Sequence, residues 1–190
     1  MGFLDALLGR TKPVAPNLDA LFALPSAAMT LQAASDINPT GTGSVCFRAA
    51  EGKAFSDIEK DVRDLLNMGD NKTPVQVSAD SYGFTWLVCE HAPDDIEGLV
   101  TDLHAVNSSL QDGGFGPQLL CTILSFRDPG ARRLGLVYLY KRGTFYPFAP
   151  QAGEHRDNAL ELQVRGALGD DLKIEPDLTR WFPVWGAPGL

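Results

Sequence analysis

The chain has 190 residues, 44% hydrophobic and 21% charged, which is the composition of a folded domain with appendages and not of a disordered polymer. Its 16 Lys+Arg against 24 Asp+Glu leave a net charge of −8, which disfavours non-specific attraction to nucleic acid. No apolar run approaches the roughly 18–20 residues a spanning helix needs, and the N-terminus lacks a basic n-region and a cleavage site, so a cytoplasmic protein is expected.

In the opening MGFLDALLGR, the side chains Phe3, Leu4, Leu7 and Leu8 fall on one stripe of a short helix. Gly9 can stop that helix, and Pro13 and Pro16 make the next residues a linker. Residues 1–16 therefore read as an amphipathic segment with a linker, and 17–190 as a single α+β domain. The stripe either packs on its own domain or docks on a partner, with at most weak peripheral contact to a membrane. Burying it yields on the order of 6–10 kcal/mol, and ordering its backbone costs about as much, so attachment by this segment alone is weak.

Asn17 can cap a short helix over residues 18–24 that Pro25 ends. Met29, Leu31 and Ala33 alternate as in a half-buried strand, residues 38–43 (NPTGTG) read as a loop, and Val45 and Phe47 alternate in a second strand. Gly52-Lys53 fails as a phosphate-binding loop: Phe47 stands where its first glycine belongs and Ala54 replaces the Ser/Thr. Ser56 and Glu59 form a capping box for a helix with Ile58, Val62, Leu65 and Leu66 on its apolar side.

Residues 74–90 read as a hairpin, with Phe84, Trp86 and Val88 on one face and Thr85, Leu87 and Cys89 on the other. The clearest helix follows, capped by Asp94, with Ile96, Leu99, Val100, Leu103, Val106 and Leu110 at the helical period and Gly113-Gly114 at its end. Residues 118–149 form the most apolar stretch, a three-strand meander turned by Asp128-Pro129-Gly130 and by Lys141-Arg142-Gly143. Asp157 then caps a last helix carrying Leu160, Val164, Ala167 and Leu168, and an aromatic tail, WFPVWG, begins at Trp181. That tail either packs back on the domain or presents Trp181 and Trp185 to a partner. Hairpins and a meander separated by helices predict an α+β fold, a mainly antiparallel sheet with about three to four helices packed on it.

Chemistry-bearing residues are sparse. Cys46, Cys89 and Cys121 are odd in number and each lies in a strand pattern, which predicts buried thiols in a reducing compartment and no disulfide framework. Cys89-Glu90-His91 lacks a second ligand pair at zinc spacing, so no metal or other cofactor is expected. A cysteine nucleophile served by His91 or His104 would carry no known signature, and no catalytic residue is assigned.

Four stretches, MGFLDALLGRTKP, LDALFALPSAAMTLQAA, GTGSVCFR and RWFPVWG, together resemble the PspA-associated PspAB family along nearly the whole chain. The resemblance implies an accessory role in a bacterial envelope-stress response, with a PspA-like protein and an HtpX-type membrane metalloprotease as partners, and it carries over no catalytic residues. Two function classes follow. One is a non-enzymatic adaptor that uses its apolar terminal segments (Phe3, Leu4, Leu7, Leu8, Trp181, Trp185). The other is a small-ligand domain or enzyme with a pocket around Cys89, His91 and Cys121, and a deep pocket with convergent polar groups would favour it.

Overall fold

The structure, a computed structural model, describes residues 16–48, 56–57, 60–62, 64 and 75–190. The stripe Phe3, Leu4, Leu7, Leu8 lies outside the described residues. The helix with the capping box is described in part: Ser56, Asp57, Lys60, Asp61, Val62 and Asp64 are helical, and Val62 is buried.

A 3-10 turn, Leu18–Ala23, runs directly into helix α1, Leu24–Ser35. Pro25, predicted to end a helix, instead sits in the first turn of one, where its missing N–H removes no intrahelical bond. The predicted strand around Met29, Leu31 and Ala33 is likewise corrected. Leu24, Ala27, Ala28 and Leu31 are buried at helical spacing while Met29 is exposed, and a segment rich in Ala, Leu, Met and Gln favours the helix intrinsically.

Strand β1, Asn38–Phe47, absorbs the stretch expected to be a loop, with a register shift between Pro39 and Gly43. Proline and glycine are tolerated in a strand at such a bulge. Gly41 has φ +82°, and a Cβ there would collide with the His91 carbonyl; a Cβ on Gly43 would lie 2.7 Å from Leu103 Cδ1. These glycines permit close approach of neighbouring elements, which local sequence cannot distinguish from a loop.

The hairpin β2, Gln76–Ala79, and β3, Thr85–Glu90, forms as predicted. Asp80 organises its turn, accepting from the backbone of Tyr82 and Phe84 and from Trp86 Nε1, each at 2.9 Å. Burial pushes that carboxyl up, but these donors outweigh it and hold it below its ordinary value. Helix α2, Ile96–Leu110, is capped by Asp95, one residue after the expected Asp94, whose side chain accepts from Gly98 N at 3.1 Å. The chain kinks at Gly114, φ 85°, and enters the meander of β4, Leu119–Arg127, β5, Arg133–Leu139, and β6, Thr144–Phe148. Two short strands, β7, Pro150–Gln151, and β8, His155–Arg156, lead to α3, Asn158–Leu168, capped by Asp157 as predicted.

The main sheet has six strands in the order β2-β3-β1-β4-β5-β6, every neighbouring pair antiparallel. Fold class is therefore α+β, as predicted. Alternation of side chains divides the sheet into two faces. Val45, Phe47, Leu87, Leu124, Phe126, Leu136 and Tyr138 look toward α1, α2 and α3, which bury Leu31, Leu99, Val100, Leu103, Val106, Leu160 and Val164 against them. Cys46, Trp86, Val88, Ile123, Val137, Tyr146 and Phe148 look the other way, toward Trp181, Trp185, Ala187 and Leu190 of the tail. Helices seal one face; an irregular tail covers the other. Among the described residues, no helix is long and apolar enough to cross a membrane.

Candidate functional site

The tail is held by buried polar ties as well as by apolar contact. After α3 the chain returns along β6, with Phe145 N donating to Lys173 O at 2.9 Å, Glu175 N to Phe145 O at 2.7 Å, and a parallel bridge between Phe145 and Ile174. Glu175, fully buried, accepts from Arg142 Nε at 2.6 Å, Thr144 Oγ1 at 2.7 Å and Asp177 N at 3.2 Å. Burial alone would raise its carboxyl; these donors outweigh burial and hold it below its ordinary value. A buried carboxylate supplied with so many donors fixes the loop around it.

Trp181 is next. Its indole Nε1 donates to Glu175 O at 3.0 Å, and its ring stacks on Tyr146 with centroids 6.0 Å apart. Tyr146 Oη in turn donates to Phe182 O at 2.8 Å, and Arg156 donates to the Trp181 carbonyl while lying over the Phe148 ring. Burial pushes the Tyr146 phenol well up, so it remains a neutral donor. Trp185 meets Phe148 edge-on at 4.9 Å.

Of the two readings of the tail, packing back on the domain or facing a partner, Trp181 follows the first: it is 5% exposed and spends its side chain on the core, and Trp185 is half-buried. The residues between and beside them face out instead: Phe182 is 58% exposed, Leu178 50% and Leu162 of α3 51%. Leu162 and Leu178 border one depression together with Trp181, and Phe182 borders a second cleft on the other side. Phe22 and Met29, on the helical side, are also exposed, but Phe22 lies against the His104 ring at 4.8 Å.

The second cleft runs beneath the tail and has a volume of about 390 Å³. Phe182, Pro183 and Val184 form one wall, and Phe84, Leu120, Leu139 and Tyr146 form the other, with Cys121 also lining it. Lys141, Arg142 and Arg180 complete the lining, and no carboxylate belongs to it.

The proposed pocket of Cys89, His91 and Cys121 does not form. Cys89 faces the helices, whereas Cys121 faces the tail opposite Cys46, its register partner. The mutual hydrogen bond of these two thiols, then burial, pushes Cys46 far up, so it is no ready nucleophile. All three cysteines are buried, and none of the three is in a disulfide. His91 stands elsewhere, its Nδ1 2.7 Å from Asp95 Oδ2 and its Nε2 2.8 Å from Asp102 Oδ2, tying the exit of β3 to α2. Pleating explains the correction: a two-residue step from Cys89 to His91 leaves the strand, and Cys121 belongs to the opposite face.

Phe182 lies within WFPVWG, where the sequence points to the tryptophans, and Lys141-Arg142 reads from the sequence only as a turn. The available signal was the presence of a cationic turn in an acidic chain; nothing local connected it to residues 180–184.

The sequence model of PspA associated protein B matches residues 1–189. The chain belongs to that family. No match is found among curated proteins or among solved structures. The PspA associated protein B family name links this chain to PspA without assigning a reaction or a site.

Proposed function

We propose that this chain is a non-enzymatic adaptor of a PspA-type membrane-stress response that works by protein–protein association. A PspA-like protein is its first partner, and an HtpX-like membrane protease is a second one to be tested. The carrying observation is the trio Leu162, Leu178 and Phe182, exposed where α3 meets a tail that Glu175 and Trp181 immobilise. A rigid backbone that displays large apolar side chains lowers the ordering cost of association. The family name supports the identity of the partner.

Magnitudes set how the adaptor must work. Covering three large apolar side chains that are already half-buried yields on the order of 3–5 kcal/mol, which association entropy largely cancels. The trio therefore needs further surface, and the stripe Phe3, Leu4, Leu7, Leu8 is the natural addition. On this reading the protein is cytoplasmic and meets the inner face of the membrane through its partner, with at most weak contact of its own.

The test is retention of a purified PspA-like protein on the immobilised full chain. Leu178→Ser with Phe182→Ser, and separately deletion of residues 2–10, should each weaken capture by about tenfold or more while the variants remain folded. Undiminished capture by both variants would exclude these surfaces.

A further inference from the structure

The cleft beneath the tail has walls and a rim of different chemistry. Its walls are Leu120, Leu139, Phe84, Phe182 and Val184, and its volume of about 390 Å³ lies within the range of pockets that hold small ligands. Its rim is cationic on a chain whose net charge is −8. Arg142 is engaged with Glu175 and Arg180 with Asp177, yet both side chains remain more than 40% exposed at the cleft. Lys141 makes no ion pair among the described residues.

Apolar walls ask for a hydrocarbon body; at the rim Arg142 and Arg180 are matched by Glu175 and Asp177, and the exposed ammonium of Lys141, in no ion pair among the described residues, asks for an anionic head. A zwitterion or cation would meet the wrong field at the mouth. We propose that the cleft binds a free long-chain carboxylate, with its alkyl chain between the tail and the sheet and its head at Lys141. The cleft shares Phe182 with the adaptor surface but neither Leu162 nor Leu178, so Lys141→Glu and Leu139→Trp test it without touching that surface.

Titration calorimetry of the full chain with octanoate, decanoate and dodecanoate, below their micellar concentrations, tests this. Each added methylene should tighten binding by roughly fourfold until the cleft is full. Lys141→Glu, a substitution at an exposed turn, should weaken dodecanoate by about tenfold. Leu139→Trp should remove binding by filling the cleft, with near-ultraviolet circular dichroism confirming a packed fold. Dodecyltrimethylammonium, with the same chain and the opposite charge, should bind about tenfold more weakly than dodecanoate. Equal binding of the two amphiphiles, or dodecanoate affinity unchanged in Lys141→Glu, would overturn the proposal. So would binding to phosphatidylglycerol vesicles with none to the free carboxylates. Failure of the unaltered full chain to capture the PspA-like protein, with carboxylate binding intact, would leave the proposal standing and remove only the adaptor reading.

Discussion

The two faces of the sheet are covered by different means. Toward the helices, regular amphipathic stripes bring Leu99, Leu103, Val106, Leu160 and Val164 onto Phe47, Leu124 and Leu136, and burial is nearly complete. Toward the tail, an irregular segment is fixed at a few points: the carboxylate of Glu175, the indole of Trp181 and the guanidinium of Arg156. Distributed packing leaves little room. Point attachment leaves two clefts along the tail and lets Phe182 and Leu178 face solvent. A face held by anchors can be stable and still present surface, which explains why the candidate sites lie there.

The largest effect should come from the packed face. Leu103→Ala removes a fully buried side chain that sits over Gly43, and it should cost about 4 kcal/mol by equilibrium denaturation. A midpoint within error of the parent would show that α2 does not seal this face of the sheet. On the anchored face, Glu175→Ala should cost about 3 kcal/mol, because Thr144 and the Asp177 amide lose their acceptor, while Arg142, half-exposed, regains water. That loss should be accompanied by faster proteolysis at residues 177–186, which Leu103→Ala should not produce at matched stability.

Acidity sharpens the same contrast. The Glu175 carboxyl is held below its ordinary 4.5, so its contribution is fully present above that pH and is lost as pH falls through the lower folded value. Stability measured from pH 5 downward should therefore fall less steeply in Glu175→Ala than in the parent, and parallel slopes would remove the carboxylate from its anchoring role. The smallest effect should be that of Phe182→Ser, at less than about 0.5 kcal/mol, since its ring is largely in water. A cost above about 2 kcal/mol would show that Phe182 belongs to the core and not to a binding surface.

Much of the sheet was legible because its strands announce themselves locally. β-Branched and aromatic runs marked β4, β5 and β6, the DPG turn marked their first connection, and alternation assigned Trp86 and Leu87 to opposite faces. Helix α2 was legible for the same reason at a different period. What failed were places where a tertiary neighbour decides the outcome. Met29, Leu31 and Ala33 alternate like a strand, but the small side chains around them suit close helix packing; residues 38–43 look like a loop because Gly41 and Gly43 make room for His91 and Leu103. The cleft was invisible for a stronger reason. Its walls come from residues 84, 120–121, 139–146 and 180–184, and no pattern within any one of these segments refers to the others. The tail's aromatic richness was readable, whereas the choice of which ring turns inward depends on the Glu175 carbonyl waiting for an indole N–H.

The place of β1 in the sheet has a consequence for biosynthesis. It lies between β3 and β4, yet it precedes both in the chain. A ribosome adding about 5–20 residues per second releases Val45, Cys46 and Phe47 seconds before either partner strand exists. When the β2–β3 hairpin emerges it can satisfy one side of β1, but the other side waits for β4, beyond the whole of α2. The nascent chain thus carries the future middle of its sheet as an open edge, and slowing translation between β3 and β4 lengthens the interval in which a second nascent copy can pair with it.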